Sequence, residues 1–491
     1  MWHHLFISSQ RASKIWGKRR VSRESFIRPK TFRLARMVMR CARRLLMASA
    51  LILLGCVLCC STDASQTENK FHSRWLAHTF QSHPNGHSGN MHIFREDSPG
   101  LLSHGDVVRG RRAPSTASHN VIFIVKQRNM DKLTEILHDV SDPRSQNYGN
   151  HLTRDEVINL TSNPESHDEI IAYLKAAGAT VTLVEHAGGS ITASASISVW
   201  ERMLNTKFYS YSLPSSAVEN DIRDARNAED MYAFVRTEEY SVPLALNQHV
   251  DYVMNTVQLP QLRSSNLPAI RVIAEDQSLK SSRFSKESVI YQNYVTPQLL
   301  SNFYGIDDNS GHPRATQCAY ETVNQLFSPQ DLTSFQTILQ LPIKPVIASY
   351  GNMTATAAYC KAHGYNICAE GNLDIMYLMG IADTPTIHWY SDKRMAWYLF
   401  ALLYAPEPPP LVISMSYGSE ERYLSESEFT TFEESAKKLG VMGTTILVSS
   451  GDDGVSPHPA RRDPSKCEYM PTWPASCPYV ISVGATQVCY I

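Results

Sequence analysis

The sequence predicts an α/β fold: a parallel sheet covered on both faces, preceded by a smaller α+β unit. Two patterns carry this reading. Beyond residue 293, short β-branched apolar runs at 345–348, 385–389, 411–415, 444–448 and 479–483 alternate with helical patterns at 373–379, 394–403 and 426–439. Strands buried on both faces read as continuous apolar runs, and alternation with helices makes them parallel. Between 119 and 258 the order differs: a strand at 121–125, helices at 130–140 and 168–177, short strands at 180–184 and 190–194 about a Gly-Gly turn, then a helix from 199 to 204. That order suits a small antiparallel sheet with helices on one face.

The rest of the chain divides by composition. The 491 residues suffice for two or three domains, and 43% hydrophobic with 19% charged residues is a globular balance. The net charge of −1 hides an asymmetry: residues 1–46 carry 13 Lys or Arg against one acid, Glu24. A basic head on an acidic body argues against a nucleic-acid role for the body. The head borders an apolar run over 45–60, flanked by Arg43 and Arg44, the length of a signal-peptide core. Residues 1–64 therefore read as a basic leader with a signal peptide, or a signal anchor if Met1 starts translation. Met39 is the alternative start. Either form sends the body to the lumen or exterior.

Residues 65–118 are rich in Ser, His and Gly and read as a flexible spacer. Within it, Arg109-Gly-Arg-Arg112 reads as a solvated charge run, with processing as the rival. Residues 259–292 are polar and irregular, a linker suited to activation cleavage. Six of ten cysteines follow the leader; Cys360/Cys368 and Cys467/Cys477 are spaced to close small loops, with connectivity open.

The chemistry concentrates in two places. Glu370 and Asp374, in Ala-Glu-Gly-Asn-Leu-Asp over 369–374, lie one helical turn apart on a face continuing through Tyr377, Leu378 and Ile381. Alone, such a pair would merely complement a helix dipole. The second place is Leu-Val-Ser-Ser-Gly-Asp-Asp-Gly-Val over 447–455, where an apolar strand runs into a Gly-flanked acidic turn. α/β enzymes place site residues at such strand ends.

Together these blocks resemble the sedolisins, the serine-carboxyl peptidase family that includes tripeptidyl peptidase I. Further blocks lie in the family's order. Ser-Asp-Pro-Arg-Ser-Gln-Asn-Tyr-Gly over 141–149 resembles the propeptide signature. The segment 293–305 resembles the mature N-terminus, and 316–332 an early catalytic-domain helix. Leu-Val-Ile-Ser-Met-Ser-Tyr-Gly over 411–418 resembles the substrate-binding strand, and 471–486 the segment after the acidic turn. The resemblance covers roughly 119–491.

It implies a ferredoxin-like propeptide domain over 119–258 that caps the cleft as an intramolecular inhibitor. It also implies a partial subtilisin-like peptidase domain over 293–491. Glu370 would be the general base, Asp374 its hydrogen-bonding partner, and a protonated Asp452 the oxyanion donor. Ser416, Tyr417 and Gly418 would offer backbone groups to an extended substrate. Both carboxylate roles need acidic pH or raised pKa values, hence a lysosome-like or secreted acidic setting. The family's nucleophile lies in a Gly-Thr-Ser motif, with calcium bound later in the chain. No Gly-Thr-Ser occurs here; Gly443-Thr-Thr445 is the nearest string. The reading is an acid-acting, tripeptidyl-peptidase-like zymogen that hydrolyses peptide bonds, inactive as this chain stands, with no metal ligands of its own. The alternatives are a non-catalytic paralogue that binds peptides or a peptidase, or an anchored structural protein. Peptide or unfolded protein is the expected partner, and a membrane is met only through a signal anchor.

Overall fold

The computed structural model describes residues 92–103, 105–185, 189–214, 231–259, 295–307, 310–322, 325–351, 354–363, 365–390, 409–461 and 463–486. The leader, the linker from residue 260 to 292 and the helical pattern at 394–403 lie outside the described residues.

The first layer is a four-stranded antiparallel sheet in the order Thr180–Glu185, Ser190–Ser196, Ser118–Val125, Val250–Met254. The first strand in sequence sits beside the last, and helices Pro164–Ala176 and Ile197–Met203 follow the first and third strands. This is the β-α-β-β-α-β order of a ferredoxin-like unit. Strand Ser118–Val125 shows why its run Val-Ile-Phe-Ile-Val is continuous. Side chains alternate across a strand. Val121, Phe123 and Val125 join Ile170, Leu174 and Trp200 in the unit's own core. Ile122 and Ile124 point the other way, into a cluster shared with Met415, Phe432 and Leu439 of the second domain.

That second domain carries a six-stranded sheet in the order Ala348–Tyr350, Thr386–Tyr390, Gln317–Glu321, Val412–Met415, Thr445–Ser449, Ile481–Val483. Every pairing is parallel, as expected from the alternating runs. One face packs Cys318, Tyr320, Ile387, Ile413 and Val448 beneath helix Glu426–Val441. On the other face, Ala319 meets Phe327, Leu332 and Ile375, from the region of helices Pro329–Ile338 and Ala369–Ile381. Burying a Leu- or Ile-sized side chain is worth about 1.5–3 kcal/mol, so these two faces hold the sheet between its helices.

Three expectations need correction. Part of the expected spacer is folded: His92–Asp97 pairs with Glu239–Pro243, and Leu101 is buried. Strand Val108–Arg112 is exposed throughout, so no apolar period marked it; Arg109 instead pairs with Glu238 and lies over the Tyr209 ring. The segment 316–332 does not begin as a helix. Gln317–Glu321 is a central strand with all five residues buried, and the helix starts only at Pro329, capped by Ser328. Two-sided burial removes the alternation that separates strand from helix in a short run. Finally, Cys360 and Cys368 form a disulfide, whereas Cys467 and Cys477 are free thiols, one exposed and one buried.

Candidate active site

Sheet topology creates the site. Gln317–Glu321 is the first strand of the domain in sequence. The chain then adds strands on one side of it and, from residue 412 onward, on the other. Such a reversal opens a crevice at the carboxyl ends of the central strands. Glu321 is the last residue of the first strand. Ser416, Tyr417 and Gly418 leave the end of the adjacent strand, and Asp452 follows the next one.

The helix Ala369–Ile381 brings the two expected carboxylates to this end. Its start is tied down three ways. Cys368, at the cap position, is bonded to Cys360. The Glu370 N–H donates to Gln325 Oε1 at 3.1 Å. Asn372 Oδ1 accepts the Ser328 N–H at 2.8 Å. Gly371 permits the close approach, since a Cβ there would lie 2.7 Å from the Leu326 carbonyl oxygen. Further along, the Tyr377 hydroxyl donates to the Val295 carbonyl.

Burial pushes Glu370 up to about 8, and the charges of Asp374 and Asp452 add to the rise. Burial likewise pushes Asp374 up to about 6, against hydrogen bonds with Ser416 and Glu321. Asp452 is exposed on the turn, yet its charge is felt at Glu370. Gly451 starts that turn at φ 89°, a left-handed conformation that suits glycine. Asp453 is half-buried beside it.

The sequence reading missed a third acid. Glu321 is fully buried, and burial, with Asp374 adding, holds its carboxyl well above the usual range. The Tyr417 hydroxyl donates to Glu321 Oε2 at 2.7 Å. Glu321 Oε1 and Asp374 Oδ2 are both sealed from solvent, and the two carboxyls share a hydrogen bond. Carboxylates so placed cannot all ionise, and the group holds a proton between them. Ser416 also differs from expectation: its hydroxyl bonds to the acid pair, beyond any backbone role. Gly418 is needed for close packing, since a Cβ there would meet Thr472 Cγ2 at 2.8 Å. The only sequence signal for Glu321 was its place at the end of a five-residue buried run, hidden by the helix reading.

Tyr417→Phe tests this chain of groups. It strips Glu321 Oε2 of its donor, which costs about 1–3 kcal/mol. Glu321 is already raised above its unfolded value, so its stabilising protonation is present at acid pH and lost as pH rises. Losing the Tyr417 bond raises it further. Urea unfolding at pH 5 should show Tyr417→Phe less stable than the parent by about 1–3 kcal/mol.

Among the described residues no group of three or more His, Cys, Asp or Glu is placed to hold a metal ion.

Residues 106–259 match the family "Pro-kumamolisin, activation domain". A probable tripeptidyl-peptidase of Trichophyton verrucosum is 25% identical over 393 residues, covering 74% of this chain and 62% of the relative. Mouse tripeptidyl-peptidase 1 is 26% identical over 407 residues, covering 80% and 65%. Physarolisin of Physarum polycephalum is 26% identical over 400 residues, covering 77% and 61%. A solved Pseudomonas sedolisin overlaps 38% of this chain and 52% of its own at 18% identity and a TM-score of 0.30. The chain is similar to tripeptidyl-peptidases and carries a match to their activation domain over 106–259. It spans about 62% of the length of the first curated relatives it matches.

Proposed function

We propose that this chain is the precursor of an acid-acting serine-carboxyl peptidase of tripeptidyl-peptidase type. The observation that carries the reading is the cluster of Glu321, Glu370 and Asp374 at the carboxyl ends of the central strands, with Ser416 bonded to the pair. Glu370 is the general base and Asp374 its proton-holding partner. Asp452 would donate to the oxyanion. The backbone of Ser416, Tyr417 and Gly418 would pair with an extended peptide. The activation domain over 106–259 serves as the intramolecular propeptide, and a lysosome-like or secreted acidic compartment supplies the pH.

One element of the chemistry is not among these residues. In the acid pair, Glu370 is pushed to about 8, so it is protonated in acid and cannot accept a proton. A serine hydroxyl donating to it would favour the carboxylate and lower that value. The described pair thus reads as a base awaiting its nucleophile. The test is hydrolysis of tripeptide-releasing substrates near pH 4. The 491 residues alone should be silent, and the same residues with a Gly-Thr-Ser segment should cleave. Turnover by the 491 residues, abolished by Glu370→Gln, would place an unrecognised nucleophile among them and overturn the assignment. Peptide binding without turnover in both forms would favour a non-catalytic paralogue.

A further inference from the structure

The tripeptide Asn-x-Thr, the acceptor string for N-linked sugar, occurs at Asn159-Leu160-Thr161 and again at Asn352-Met353-Thr354. Asn352 lies outside the described residues. Asn159 sits in the activation domain, on helix Arg154–Thr161.

That helix is fixed at both ends. Thr153 and Glu156 form a capping box at its start: the Thr153 N–H donates to Glu156 Oε2 at 2.7 Å, and the Glu156 N–H donates to Thr153 Oγ1 at 3.3 Å. At its end, Asn129 Nδ2 donates to the Leu160 carbonyl at 2.8 Å. The Arg128 N–H donates to the Thr161 carbonyl at 2.9 Å, and Arg128 Nε to the Ser162 carbonyl at 2.7 Å. Val157 and Thr161, each 1% exposed, define the packed face. Val157 joins Leu133 and Val441, and Val441 is the last residue of helix Glu426–Val441 in the other domain. The packed face therefore looks toward the junction of the two domains.

Asn159 lies two residues from Val157 and two from Thr161. Two residues are a little more than half a helical turn, so its side chain leaves from the opposite face. It is exposed there and forms no side-chain hydrogen bond among the described residues. The exposed acids Asp155 and Glu156, four and three residues back, share that face, so a polar sugar would cover no apolar surface. Thr161 is different. Its hydroxyl points inward and donates to the Val157 carbonyl at 2.8 Å. A transferase that must engage both Asn159 and the Thr161 hydroxyl can reach them only before this helix packs.

We propose that Asn159 carries an N-linked oligosaccharide, attached before the activation domain folds and held afterwards on the side of that domain turned away from the peptidase domain. The donor is a lipid-linked pyrophosphoryl oligosaccharide, and a cellular transferase supplies the catalysis. Asn159 Nδ2 forms a bond to the anomeric carbon of the sugar, the bond from that carbon to the pyrophosphate oxygen breaks, the pyrophosphate leaves with the bonding pair, and one amide proton passes to a base of the transferase. A bulky, solvated group of this kind fits an exposed polar helix face. Cleavage beyond residue 259 would remove the sugar together with the activation domain.

The inference rests on the lumenal setting that the proposed function shares, and on nothing of its peptidase chemistry. The test is translation of the full chain with rough microsomes, reading entry by protease protection and sugar by an amidase that releases N-linked glycans and leaves aspartate. The parent should be protected and should shift in mobility on treatment. Asn159→Gln should be equally protected and lose one step of that shift, since an exposed side chain without hydrogen bonds is replaced at little cost to folding. Peptide mass spectrometry of the treated parent should read aspartate at 159. Hydrogen–deuterium exchange over 434–441 should be the same with and without the sugar; faster exchange with it would put the sugar on the packed face and overturn the placement. A protected chain with unmodified asparagine at 159, or the parent's full shift in Asn159→Gln, would overturn the proposal and leave the proposed function standing. A chain that stays outside the microsomes would overturn the proposal and the lumenal setting together, without touching the acid cluster.

Discussion

Glu370→Gln, in a chain that also carries the Gly-Thr-Ser serine, is expected to lose about 10²–10⁴-fold in kcat/KM near pH 4, the range a positioned general base contributes. The amide keeps the shape and the neighbours but can neither take nor return a proton. Asp374→Asn should fall in the same direction with a changed pH profile, because the two acids titrate as a unit with Glu321 behind them. Removing Asp374 takes away a charge that raises Glu370, so the acid limb of the profile should move to lower pH. The measurement is kcat/KM against pH for the parent and both variants, with circular dichroism to confirm folding. An unchanged rate in Glu370→Gln would remove Glu370 from the base role.

Trp200→Ala is expected to destabilise the activation domain by about 3–5 kcal/mol, the cost of a large core truncation. Trp200 is fully buried, its ring lies 6.2 Å from Phe123, and its Nε1 donates to the His119 carbonyl at 2.9 Å. Removing it opens a cavity under the strand that docks on the other domain through Ile122 and Ile124. Denaturant unfolding of the full chain should show an early transition for the activation domain. A single transition at the parent midpoint would mean that Trp200 carries no such load.

The sequence by itself determined the chain's elements where a period or a cap marks them. The strands read at 411–415 and 444–448, the helical pattern at 426–439, and the one-turn spacing of Glu370 and Asp374 were all legible. These depend on contacts a few residues apart. Tertiary structure alone decided the rest. Glu321 lies 49 residues before Glu370 in the chain, and only the parallel sheet and the packed helix bring it to Asp374. Strand Gln317–Glu321 was unreadable because burial on both faces erases the period-two signal. The folded part of the expected spacer was hidden for the opposite reason: Val108–Arg112 buries nothing, and Glu96 is a charged residue in a buried place. Pattern reading assumes that charge means surface. At both the acid cluster and the domain interface, long-range packing supplies the hydrogen bonds that let a carboxyl go inside.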